Sequence, residues 1–113
     1  MLQSLNNNSF KNTIQNNDVV LVDFYADWCG PCQVIKPTLE ELDKEFEGKA
    51  VIAKVDVDKE GALAANFGIR SIPSLLFFKN GELTQVYNGV QSKQRLATTI
   101  DNLLDTKVEV EEK

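Results

Sequence analysis

The chain contains no histidine. That absence removes Cys–His nucleophilic catalysis, imidazole acid–base chemistry and histidine metal ligation in one step. Cysteine occurs only twice, so the usual closed four-ligand zinc site cannot be made from thiolates alone. Basic residues are outnumbered, 12 against 17 acidic ones, for a net charge of −5. That balance argues against a nucleic acid or an anionic membrane as the main partner. The first 17 residues are Asn-rich and have neither a basic start nor an apolar h-region. No signal peptide and no membrane span are expected, and a cytoplasmic, reducing compartment follows. There a standing structural disulfide is not expected.

What is present suits one small domain. A chain of 113 residues buries roughly two thirds of its unfolded surface and needs no disulfide framework to fold. We place the domain at 1–107 and a short charged C-terminal tail at 108–113. Repeats and linkers are absent from the sequence.

Both cysteines fall in one stretch, Trp28-Cys29-Gly30-Pro31-Cys32. Val19 to Tyr25 precedes it and is apolar on both faces, as a strand covered on both sides must be. Cys32, Ile35, Leu39, Leu42 and Phe46 follow at spacings of 3, 4, 3 and 4, a helical stripe that stops at Gly48. Pro31 suits the first helical turn, and Pro37 is expected to kink the helix. Leu2 to Leu5 reads as a short edge strand. Ser9 is expected to cap a helix that turns Phe10 and Ile14 inward. Ala50 to Val57 reads as a strand and Glu60 to Asn66 as a short helix. Asn80-Gly81 joins the strand-like runs Ser74–Lys79 and Glu82–Tyr87 as a hairpin. Ser92 caps a last helix carrying Leu96, Ile100, Leu103 and Leu104. Strand–helix units followed by a hairpin imply an α/β fold, a mixed sheet with helices on both faces.

The stripe gives the two thiols different places. Cys32 is in phase with the buried face, whereas Cys29 precedes the first turn and is expected to be the more exposed. There it meets unpaired backbone N–H groups and the positive end of the helix dipole, which favour thiolate. Cys29 is the candidate nucleophile and Cys32 the resolving thiol. A pKa brought from about 8.5 to about 7 raises the thiolate fraction roughly 15-fold at pH 7 but lowers intrinsic nucleophilicity about 4- to 6-fold. Most of the advantage therefore lies in placement, because the second step is intramolecular.

Asp23 is a carboxylate inside an apolar strand. Turned toward the helix it lies under Cys32 with a raised pKa and accepts that thiol's proton. Turned outward it is an ordinary strand Asp, paired with Lys54 of the next strand. Pro73 belongs at a strand start, and base rates favour a trans bond before it. Trp28 is either a core residue or a partly exposed platform for a partner.

The run Leu21-Val22-Asp23-Phe24-Tyr25-Ala26, then Trp28-Cys29-Gly30-Pro31-Cys32, Ile72-Pro73 and Asn80-Gly81, closely resembles the thioredoxin family from about Ser9 to Leu104. The resemblance implies a thioredoxin fold, a central mixed sheet flanked by four helices. It implies a cis Pro73 packed against the disulfide and Asp23 as a buried proton acceptor with Lys54 nearby. It implies a substrate groove lined by Trp28, Gly30, Pro31, Ile72, Pro73, Gly89 and Val90. It implies a protein-disulfide reductase with no bound cofactor and a reversible Cys29–Cys32 disulfide. Electrons would come from NADPH or ferredoxin through a thioredoxin reductase, and target proteins would carry disulfides. A monomer is expected. Tyr25 stands where a Trp or another aromatic is common, Gln33 where Lys or Arg is, and Ser74 where Thr is. Gly-Pro between the cysteines favours a reductant over oxidising relatives that carry a His there. A binding module that clamps partners, and a two-thiol metal site in a dimer, are the alternatives.

Overall fold

In a computed structural model of the chain, residues 2–105 are described. The charged tail read over residues 108–113, and with it the domain boundary at 107, lies outside the described residues. In chain order the elements are β1 (Gln3–Ser4), α1 (Asn7–Asn16), β2 (Val19–Tyr25), α2 (Gly30–Glu45), β3 (Val51–Asp56), α3 (Gly61–Asn66), β4 (Ser74–Lys79), β5 (Glu82–Asn88) and α4 (Lys93–Leu104). Among the described residues the strands form one sheet in the order β1-β3-β2-β4-β5. β1, β3 and β2 run parallel, while β4 and β5 are antiparallel to their neighbours.

β2 is the central strand, and its alternation divides the core. Val20, Val22 and Phe24 face α1 and α3 with Phe10, Ile14, Leu63 and Phe78. Val19 and Leu21 face α2 and α4 with Ile35, Leu39, Leu42, Leu96 and Ile100. Side chains alternate across a strand, so Asp23 and Tyr25 fall on the α2 side too. The strand is buried from Val19 to Phe24. Its apolar sequence on both faces follows from helices covering both sides.

Local chemistry sets the element ends. The α1 cap is Asn6 rather than Ser9: Asn6 accepts the Ser9 N–H at 2.8 Å, and Ser9 Oγ accepts the Asn6 N–H at 2.9 Å. Ser9 is thus the third helical residue of a reciprocal cap. Ser92 caps α4 as expected, accepting the Arg95 N–H at 3.1 Å. Helix α2 runs on through Pro37 to Glu45. Asn80 and Gly81 both have positive φ, 53° and 85°. That is the backbone a tight two-residue hairpin with the sheet's twist requires.

Candidate active site

The site forms where β2 ends and α2 begins. Ala26 and Asp27 leave the strand, and Cys29 becomes the N-cap of α2 with an extended backbone. Its Sγ accepts the backbone N–H of Cys32 at 3.2 Å. Pro31 sits in the first turn, where a missing N–H costs nothing. Cys29 and Cys32 are joined by a disulfide, with Cα atoms 5.3 Å apart. The expected contrast in exposure is slight in this oxidised form: Cys29 is 5% exposed and Cys32 3%. Cys29 packs with Ala26 and Cys32, and Ile72 lies against the three.

The Ile72–Pro73 bond is cis, as the family resemblance implies. The carbonyl oxygen of Ile72 lies 3.8 Å from Cys29 Sγ, and the Pro73 carbonyl accepts the Gly89 N–H at 2.8 Å. Gly89 has φ +86°, so its backbone turns back toward Pro73 in a conformation that favours glycine. Around this rim Trp28 is 71% exposed and Val90 47%. Trp28 is therefore a surface residue and not a core one. Its Nε1–H donates to Asp58 Oδ2 at 2.8 Å. Sequence reasoning misses Asp58. Its one signal is the Asp-Val-Asp alternation at the end of β3, which places two carboxylates beside the motif.

Beneath the thiols, Asp23 is buried, 4% exposed, and its Oδ1 has no hydrogen-bond partner. The parallel register sets it directly beside Lys54. Burial pushes its pKa up to about 7, against the opposing pull of the Lys54 charge. A cleft of about 110 Å³ connects it to the surface, lined by Asp23, Cys32, Tyr25, Lys54, Lys36 and Gln33 among others. Cys32 and Asp23 thus share one cleft, and Gln33 puts a neutral amide at its mouth. Asp23 takes the inward position and not the solvent-facing one.

A disulfide on a helix N-terminus, a cis proline alongside it and a buried acid below define a dithiol–disulfide exchange centre. The chain matches the family described as Thioredoxin over residues 1–102. It is 45% identical over 98 residues to a thioredoxin of Haemophilus influenzae, covering 86% of this chain and 92% of that one. It is 48% identical over 96 residues to a thioredoxin of Staphylococcus haemolyticus, covering 85% and 91%. Among solved structures, a point mutant of a thioredoxin from Halobacterium salinarum NRC-1 superposes with a TM-score of 0.85 at 38% identity, covering 91% of this chain and 90% of that one. The chain belongs to the thioredoxin family, has its fold and is a thiol–disulfide oxidoreductase acting on disulfide-containing targets. The family requires no bound cofactor. Among the described residues no helix is long and apolar enough to cross a membrane.

Proposed function

We propose that the protein reduces protein disulfides, with Cys29 as nucleophile and Cys32 as resolving thiol. The Cys29 thiolate attacks one sulfur of a target disulfide and releases the other as a thiolate, leaving a mixed disulfide. Cys32 then attacks Cys29 Sγ, the Cys29–Cys32 bond forms, and the second target sulfur leaves. Two electrons pass to the target. Asp23 takes the Cys32 proton as that thiol attacks, and Lys54 stabilises the resulting carboxylate. The groove of Trp28, Gly30, Pro31, Ile72, Pro73, Gly89 and Val90 holds an extended target segment. A thioredoxin reductase restores the dithiol with electrons from NADPH or ferredoxin, and the protein works as a cytoplasmic monomer.

The observation that carries this reading is the shared cleft: a buried carboxylate whose Oδ1 has no hydrogen-bond partner, with a pKa raised to about 7, opens into the same space as Cys32. A group titrating near neutral pH is matched to proton transfer at that pH. The experiment is trapping with Cys32→Ser, which should hold target proteins as mixed disulfides on Cys29. Stable trapping by Cys29→Ser instead, through the remaining Cys32, would reverse the two roles. The exposed Trp28 and Val90 also suit a binding module that works without thiols. A Cys29→Ser, Cys32→Ser chain that keeps full function in cells would establish that second reading.

A further inference from the structure

Asp23, Tyr25, Lys54 and Asp56 make a two-by-two tile on the α2 face of the sheet. The register pairs Asp23 with Lys54 and Tyr25 with Asp56. Residues two apart on a strand share a face, so all four side chains leave the sheet on the same side. Within this tile the Lys54 ammonium stands 5.4 Å from the centroid of the Tyr25 ring, within the range of a cation–π contact. Tyr25, Lys54 and Asp23 all line the cleft under Cys32.

A lysine ammonium on a flexible stem has several places to go. Lys54 can turn toward Asp23 across the strand pair, toward Asp56 along its own strand, or outward to water. Asp56 Oδ1 is already engaged by the Asp58 N–H at 2.9 Å. The ring of Tyr25 offers the cation a negative face inside the cleft, next to Asp23. The other groups facing Asp23 are Asp27 beyond the end of β2, Cys32, Gln33 and Lys36 on α2, and the apolar Leu2 before β1. Lys54 is the cation whose charge opposes the burial of Asp23.

We propose that Tyr25 is a positioning residue: its ring holds the Lys54 ammonium beside Asp23, and so sets the charge that the carboxylate meets. The proposal rests on the reading of Asp23 as proton acceptor only for its consequence in turnover. Burial, followed by the charges of Asp56, Asp27 and Asp23, pushes the Tyr25 phenol up. The hydroxyl therefore stays protonated in the working range, and the ring acts through its face. Phenylalanine should serve as well, and leucine should not.

The test follows the Asp23 carboxyl carbon by NMR through a pH titration of the oxidised full chain. Tyr25→Phe should leave the midpoint in place. Tyr25→Leu should raise it by about half a pH unit, the size of one exposed cation–π contact. Leucine also admits water, which acts in the opposite direction, so the comparison is repeated with Lys54→Met. In that background the upward shift should vanish. A shift of equal size with and without Lys54, no shift at all, or a Phe variant that behaves like Leu would each overturn the proposal. Turnover is read separately on the same variants. A carboxyl midpoint that moves while the pH profile of the resolving step stays put removes the acceptor role of Asp23 and leaves the placement of Lys54 standing.

Discussion

The two faces of β2 come from the same strand and are both buried as far as Phe24, yet they end differently. On the α1 and α3 side, Val20, Val22 and Phe24 pack in an apolar cluster with Phe10, Ile14, Leu76 and Phe78, and the buried Ser74 stands opposite Phe24 on β4. The Phe24 ring lies 6.5 Å from that of Phe10 and 6.0 Å from that of Phe67, in tilted packing. On the α2 side, Val19 and Leu21 begin in the same way, and then the row changes to Asp23 and Tyr25. The change comes where α2 starts and its first turn brings Cys32 over the sheet. One face is packing along its whole length. The other turns polar in its last two positions, where Asp23 and Tyr25 line the cleft that also holds Cys32.

The largest expected effect separates the chemical face from the rest. Cys29→Ser should lower disulfide reduction in an insulin assay by roughly a thousandfold or more, because the attacking thiolate is removed and the intramolecular second step is lost with it. The chain should remain folded by circular dichroism. Retention of more than about a tenth of the activity would place the nucleophile elsewhere. On the packing face, Phe24→Ala should cost about 3–5 kcal/mol of unfolding free energy in a denaturant titration. It should leave the titration midpoint of Asp23 where it was. A midpoint that moves with Phe24 would show that the two faces are coupled through the strand.

The run Val19–Tyr25 and the stripe from Cys32 to Phe46 were legible because hydrophobic period reports which side is covered. Asn80-Gly81 was legible because few residue pairs accept positive φ twice in succession. The α1 cap was not: Asn6 and Ser9 both cap well, and only the reciprocal bonds assign their roles. The inward turn of Asp23 was not: both faces of β2 are apolar, and the structure sets it in the row of Val19 and Leu21, buried under α2. Asp58 had only the Asp-Val-Asp alternation to mark it, and its partner Trp28 is 30 residues away in sequence. The near-equal burial of the two cysteines was not legible either, because Cys29 is packed with Ala26 and Ile72, the latter 43 residues away in sequence, which helical phase does not describe.

Asp23→Asn tests the chemical face by stability as well as by rate. The pKa of Asp23 rises from 3.8 to about 7 on folding, because burial disfavours the charged form. The unfolded chain therefore releases this proton first. Below pH 3.8 both states hold it and the group contributes nothing. As pH climbs through the window from 3.8 to about 7 the unfolded state is progressively favoured. Above that window the carboxylate costs the fold at most about 4 kcal/mol, the equivalent of the full shift. Asn should restore up to that amount at about pH 8 and almost nothing at about pH 3.5, measured by denaturant titration at both values. It should also slow the resolving step near neutral pH. A variant that is no more stable than the parent at the higher pH would mean that water or Lys54 already solvates the carboxylate.

The smallest effect concerns the mouth of the cleft, where Gln33 stands near Asp23 and Cys32. Gln33 is exposed, and its amide Nε2 donates to the Asp27 carbonyl at 3.4 Å. Replacing it with lysine adds a positive charge at the rim without touching either core. A positive charge favours the carboxylate, so the Asp23 midpoint should fall in Gln33→Lys. The added charge is solvated, so the fall should be only a few tenths of a pH unit. It should shrink further in about 1 M salt, where the screening length is about 3 Å. A lower midpoint has a second consequence with the same sign. The window over which Asp23 destabilises the fold closes earlier, so the variant should gain a little stability at about pH 8 and none at about pH 3.5. A charge placed on the opposite face, at the exposed Asn8 of α1, should do neither. If Asn8→Lys shifts the Asp23 midpoint as far as Gln33→Lys does, the cleft is not the route by which charge reaches the carboxylate. The two faces of β2 would then share one electrostatic environment rather than two.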